Sequence, residues 1–242
     1  MKISKEQKLE TQRKIVSAAA DLFVLNGFDN TTMKQIAREA GVGDATIYKY
    51  FANKDKLILG FYDTRGADAL AEYRNTDDLE SFTFAEKLQL LVDTFLEQLM
   101  ADREFVELSL KQIIKSPITL LKDELEVAKS YKQELTTLLS NLDHDEAYPD
   151  IPMQGMLATL LTDYILGITF YWMKDNSKGF SNTTQLTDLS IGIIDSVLKS
   201  GFINKAIDMA GFIIKTHLLR GLSSGGGLLN MMQEFKETLA KQ

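Results

Sequence analysis

Cysteine is absent from the 242 residues, which removes disulfides, thiolate zinc sites and cysteine nucleophiles together. Histidine is nearly absent. His144 stands between Asp143 and Asp145 in a polar stretch, and His217 lies within IIKTHLLRGL; neither has a second histidine at ligand spacing, so no metal site is expected. Period-2 alternation, internal repeats and any grouping of serine, histidine and carboxylate suited to catalysis are missing, so neither a β fold nor an enzyme is expected. The run Gly225 to Gly227 lacks the Lys-Ser/Thr continuation of a phosphate loop and reads as a hinge; no cofactor is expected. The opening MKISKEQKLE has no apolar stretch of the export type, which makes the cytoplasm the expected location. The most apolar segment, Met153 to Met173, carries Asp163 at its middle, where a charge costs about 2.5–3.5 kcal/mol in a bilayer, so no membrane span is expected.

What is present is helical periodicity over nearly the whole chain. Ser4-Lys5-Glu6-Gln7 has capping-box form, and Ile15, Ala18, Ala19, Leu22 and Phe23 follow on one stripe until Asn26-Gly27. Thr32-Met33-Lys34-Gln35 is a second capping box, with Ile36, Ala37 and Ala40 facing inward and Gly41 as the left-handed stop. A third start follows at Gly43, with Ile47 and Phe51 spaced i, i+4, and Asn53 then caps a longer helix through Leu57, Ile58, Phe61 and Tyr62. Further helices are expected at about 83–100, 103–115, 118–141, 153–174, 184–200 and 203–219, with a last amphipathic piece at about 228–240. Pro117, Pro149 and Pro152 stand at or before expected starts, and KDNSKGFSN and SGF separate the later helices. The expected fold is all-α: a three-helix head over residues 1–60 and a larger helical body over 61–242.

The net charge of −7 is unevenly spread, with residues 1–65 balancing at +3 and residues 66–242 at −10. A mildly basic head on an acidic body fits a local nucleic-acid contact. Helix, glycine turn and short second helix form the helix-turn-helix layout, which presents its second helix to the DNA major groove. With Ile47 and Phe51 packed inward, Thr46, Lys49 and Tyr50 are expected to face outward, where hydroxyl and ammonium groups donate to phosphates or base edges. Thr32, Lys34 and Lys54 sit at helix starts, which favour a phosphate. The same pattern also occurs in helical pairs that never touch DNA, with Tyr48 and Tyr50 as packing residues and Lys49 and Lys54 as solvated charges.

The stretch IVSAAADLFVLNGFDNTTMKQIAREAGVGDATIYKYFANKDKLILGFY, Ile15 to Tyr62, resembles the DNA-binding head of the TetR family of bacterial transcriptional regulators. The landmarks are AA.LF...G, TT...IA..AGV and T.Y.YF..K..L. The resemblance implies a homodimer whose two heads bind an inverted-repeat operator in double-stranded DNA, usually as a repressor, with a body that holds a small effector. By position it places DNA contacts on Thr32, Lys34, Ala45, Thr46, Tyr48, Lys49, Tyr50 and Lys54. Gly43 and Asp44 depart from the family's usual serine and neutral or basic residue. Asp44 either accepts from cytosine N4 or helps the helix start.

In the body the resemblance implies a four-helix dimer interface from the late helices, about 153–174 and 184–200. Leu157, Leu160, Leu161, Ile165 and Ile168 repeat at helical spacing, as do Ile191, Ile194, Val197 and Leu198, although such stripes also form ordinary core. YWMKDNSKGFSNTTQLTD, Tyr171 to Asp188, is similar over a short stretch to Coq9-like lipid-binding proteins, which implies a greasy pocket and a small hydrophobic effector. Phe105, Leu108, Met156, Tyr164, Phe170 and Trp172 are its candidate lining. The rival reading is a lipid-binding helical protein of the same fold that does not bind DNA.

Overall fold

Ser4 caps the first helix as its capping box requires: its side chain accepts from the Gln7 N–H at 3.1 Å, and the Gln7 side chain returns the bond to Ser4 N–H. In the computed structural model, which describes residues 4–115 and 125–218, every regular element among the described residues is helical. The order is α1 (Lys5–Asn26), α2 (Met33–Glu39), α3 (Asp44–Tyr50), α4 (Lys54–Arg74), α5 (Phe84–Met100), α6 (Arg103–Lys115), α7 (Glu126–Asn141), α8 (Gln154–Lys174), α9 (Ser181–Lys199) and α10 (Phe202–Ile213). The expected start of the 118–141 helix, the 228–240 piece, the Gly225–Gly227 hinge and the side chain of His217 lie outside the described residues. The late helix expected from 184 begins at Ser181, after a left-handed Phe180.

The head is built on short range. Thr31 is buried and its hydroxyl donates to the Leu22 and Gly27 carbonyls at 3.0 and 2.8 Å, which closes the turn between α1 and α2. Thr32 caps α2 reciprocally with Gln35. Gly41 then takes φ +67, the left-handed value that side-chain-bearing residues resist, and sends the chain into α3. Ile36, Ala37 and Ile47 are fully buried, so α2 and α3 lock face to face.

α4 joins head to body. Asn53 caps it by accepting from Lys56 N–H at 2.9 Å, and along its length it packs against α1, α5 and α7. Two glycines permit these close approaches. A Cβ on Gly60 would lie 2.2 Å from the Phe51 ring, and one on Gly66 would lie 1.9 Å from a Val127 methyl on α7. Next to Gly66, the Asp63 carboxylate accepts from Val127 N–H at 2.9 Å and so caps α7 from the side of α4. Burial raises the pKa of Asp63 above the ordinary carboxylate value.

α8 is long and apolar enough to cross a membrane by length and composition, with a third of its most apolar window buried inside the protein. Leu161, Ile165, Ile168 and Trp172 face the core, whereas Met156, Leu160 and Tyr171 are exposed.

Candidate nucleic-acid interface

α3 presents a mixed surface because its apolar residues are spent on the opposite side. Ile47 and Phe51 are buried, while Ala45, Tyr48 and Lys49 are exposed, Tyr48 by 57%. Thr46 is half-buried beside Gly43. Tyr50 is half-buried as well, its ring resting against the head core. At the start of α2, Thr32 and Lys34 are exposed. Ala45, Tyr48, Lys49, Thr32 and Lys34 therefore stand open on the two helices of the turn.

Asp44 meets Lys34 across that turn at 3.6 Å, with both side chains largely in solvent. The pair sets an acidic group beside a basic one on the open side of the turn. Exposed pairs of this kind add little stability. Their effect on a polyanion is larger, because the carboxylate cancels part of the lysine's field.

Lys54 has an internal partner. Its ammonium donates to the Phe28 carbonyl at 2.5 Å and to the Asp29 carbonyl at 3.4 Å, and lies 4.4 Å from the centre of the Phe28 ring. The first turn of α4 is thus tied to the end of α1. On its other side Phe28 borders a cleft of about 160 Å³ between α1, α4 and α6, lined by Phe23, Ile58, Phe105 and Leu108 with Lys111 and Gln112 at the rim. Phe105 stacks on Phe23 with centroids 6.0 Å apart and meets Phe61 edge-on at 4.6 Å.

Of the six residues expected to line an effector pocket, the structure brings together Phe105 and Leu108 in this cleft. Trp172 is buried under Phe180. Tyr164 pairs its hydroxyl with Ser190 at 2.8 Å, Phe170 is half-buried on α8, and Met156 is exposed.

A second polar assembly escaped the sequence reading. Arg103, at the start of α6, donates to the carbonyls of Trp172, Met173 and Asp175 at 3.2, 2.9 and 2.6 Å, and its guanidinium lies 4.8 Å from the Phe180 ring centre. It closes the end of α8, whose last carbonyls have no partner inside the helix. The Asp175 carboxylate accepts from Ser177 N–H, Thr183 N–H and the Thr183 hydroxyl. Burial works against its ionised form, but the hydrogen bonds from Ser177 and Thr183 outweigh it and hold the carboxyl well below the usual range. Beside Arg103, Asp102 takes Arg65 of α4 at 2.5 Å. Helices α4, α6, α8 and α9 are therefore connected by one set of charged groups. The order W, D, S, T in the 171–188 stretch is the wiring of this turn.

The Trp172 carbonyl keeps the Asp175 N–H at 3.1 Å, so Arg103→Ala should leave the Met173 and Asp175 carbonyls without this donor and cost about 2–3 kcal/mol, which for a chain of this size lowers Tm by about 5–10 °C. Arg103→Lys should recover only part of that loss, because an ammonium lacks the planar guanidinium that stacks on Phe180. Circular dichroism melting checks both.

The head matches the family model for bacterial regulatory proteins of the tetR family over residues 15–60, and the body matches the tetracycline repressor-like C-terminal domain over residues 87–213. The fatty acid metabolism regulator protein of Bacillus subtilis (strain 168) is 27% identical over 135 residues, covering 56% of this chain and 69% of that protein. The structure of FadR from Bacillus subtilis in complex with stearoyl-CoA superposes with a TM-score of 0.57 at 21% identity, covering 78% of this chain and 98% of the other. That of Salmonella enterica GusR superposes with a TM-score of 0.58 at 20% identity, covering 83% and 100%. At these identities the structural likeness speaks for the fold. The body match alone spans more than half of the chain, and with the head match at the helix-turn-helix it shows that the chain belongs to the TetR family of transcriptional regulators.

Proposed function

We propose that the protein is a ligand-responsive repressor which binds an inverted-repeat operator as a homodimer and is released by a small hydrophobic effector of the acyl type. The observation that carries DNA binding is the open face of α3, with Tyr48 and Lys49 exposed over a buried Ile47 and Phe51. Residues 1–60 act as the DNA-binding head and residues 61–242 as the effector and dimerisation body, with α4 continuous between them. The exposed Met156 and Leu160 of α8 and Leu189 and Ile193 of α9 supply an apolar face for pairing two copies. Such a regulator works in the cytoplasm.

The effector class is supported by the acyl-related names of the Bacillus relatives and by the cleft over Phe105 and Leu108. A dry cavity of about 150 Å³ accommodates a single aromatic ring. A longer acyl chain enters the 160 Å³ cleft only if α6 moves away from α1. That movement would act on Phe28, and through its carbonyl on Lys54, and would pull on Arg65 through Asp102. An effector that prefers the moved arrangement weakens operator binding by its difference in affinity for the two states, typically about 1–3 kcal/mol or 5–150-fold.

Capture of sequenced genomic fragments at moderate salt should enrich one inverted repeat. Fluorescence anisotropy on that operator should then show release by stearoyl-CoA and none by free coenzyme A. No enriched sequence would remove the DNA reading; tight acyl-CoA binding with unchanged operator affinity would remove the effector.

Asp44→Asn separates the two roles of that residue by the sign of its effect. As a structural partner of Lys34, Asp44 holds the lysine's charge back from the backbone, so the variant should bind the operator about 3–10-fold more tightly, with a salt slope steeper by about one. As a reader of cytosine N4, its removal would instead weaken binding by about 1–3 kcal/mol at one base pair.

A further inference from the structure

α10 exposes nearly every large apolar side chain it has. Phe202, Met209 and Phe212 are 63%, 61% and 64% exposed, Ile207 and Ile213 join them, and no residue of the helix is buried. α10 runs on into a π-turn at Ile214–Leu218, and even with it a helix of this length gains most of its stability from packing. Its polar anchors sit in the first turn, where Asn204 donates to the Asp150 carbonyl at 2.9 Å and Phe202 N–H donates to the Ser200 hydroxyl at 3.2 Å. The rest of the helix projects from Gly201, whose φ of +64 makes the sharp exit from α9.

The apolar strip does not stop at α10. A groove of about 560 Å³ runs between α9 and the start of α10, lined by Leu189, Gly192, Ile193, Val197 and Phe202. It joins the exposed stripe of α9 to α10 as one surface. Two occupants are compatible with an apolar helix of this kind, and charge decides between them. Helices that lie on anionic lipid carry lysines and arginines on the polar face. Here the helical run 202–218, α10 with its π-turn, holds Lys205 and Lys215 against Asp208, only two basic groups on a body whose balance from residue 66 onward is −10. That is a poor match to a negative lipid surface and a good match to another copy, since a two-fold interface must be self-complementary and a ridge beside a groove satisfies this.

We infer that α10 is a clasp between subunits: it crosses to a second copy of the chain and seats Met209 and Phe212 against that copy's α8–α9 face. The inference rests on the reading that α8 and α9 pair two copies, and adds to it a separable element that tightens the pair.

The test uses the full chain. Sedimentation velocity over a dilution series should show a dimer for the unaltered protein and a dimer weakened at least 100-fold for Met209→Glu/Phe212→Glu, with an unchanged far-ultraviolet spectrum. A photo-crosslinking benzoylphenylalanine at position 212, mixed with an isotope-labelled copy, should link to the labelled chain within residues 154–199, and this readout does not depend on the charged variant folding. An unaltered protein that is monomeric would overturn the pairing and the clasp together. A dimer of unchanged strength in the double variant would overturn the clasp alone. Crosslinks confined to residues 219–242 of the same chain, or to phosphatidylglycerol vesicles, would also overturn it.

Discussion

Gly60→Ala should weaken operator binding by about 10–100-fold in anisotropy, while the body remains helical. The added Cβ would lie 2.2 and 2.9 Å from two atoms of the Phe51 ring, closer than side-chain carbons are found. The ring is flat and stiff and offers no flexible end to swing aside, so it must leave its buried seat. Phe51 also ends α3, its N–H bonding the Ile47 carbonyl at 2.9 Å, so displacing it turns the last turn of α3. Overpacking of this sort costs about 1–3 kcal/mol. Alanine's better helix propensity returns at most about 1 kcal/mol of that. α2 and α3 have seven residues each and cannot hold their shape without the core that Phe51 closes. A variant that keeps full operator affinity would mean that the Phe51 seat does not set the angle of α3.

That prediction draws on geometry that no reading of the sequence supplies. The capping boxes of α1 and α2, the left-handed Gly41 and the i, i+4 pair Ile47 and Phe51 were legible, because each partner lies within four residues and the rules are local. The close approaches at Gly60 and Gly66 were not. A glycine inside a helical pattern says that something comes near, and only the fold says that it is Phe51 in one case and Val127 in the other. Arg103 is the same lesson at longer range, since the carbonyls it holds lie about seventy residues further on. The apolar stripes of α8 and α9 told which faces are greasy but not what covers them. Leu161, Ile165 and Ile168 are core, whereas Leu160, on the same helix at the same spacing, is exposed. For the effector list the stripe logic grouped residues that the fold separates, with Phe105 and Leu108 at the α1–α6 cleft and Trp172 sealed at the far turn of α8.

Tyr48→Ala and Lys49→Ala should each lower operator affinity by about 10–100-fold while leaving Tm within about 2 °C. The two effects separate because both side chains are exposed, and exposed substitutions away from caps and ion networks stay within about 0.5 kcal/mol of the parent stability. Binding is a different matter. An ammonium on the open face of α3 neutralises a phosphate or donates to a guanine edge, and a tyrosine ring lies on sugar or a thymine methyl. Salt tells these jobs apart. If Lys49 sits on a phosphate, its removal should weaken every DNA alike and flatten the salt slope by about one; if it reads a base, the slope should hold and discrimination at one position should fall. Tyr48 brings a ring and a hydroxyl rather than an ammonium to the face, so its loss should leave the slope alone in either case and appear only as specificity. Lys54 would confuse the comparison, since removing it also frees the Phe28 and Asp29 carbonyls and loosens the turn between α1 and α2. Operator and random duplexes titrated over a range of salt decide the matter: unaltered affinity in both single variants would show that the open face of α3 does not touch DNA.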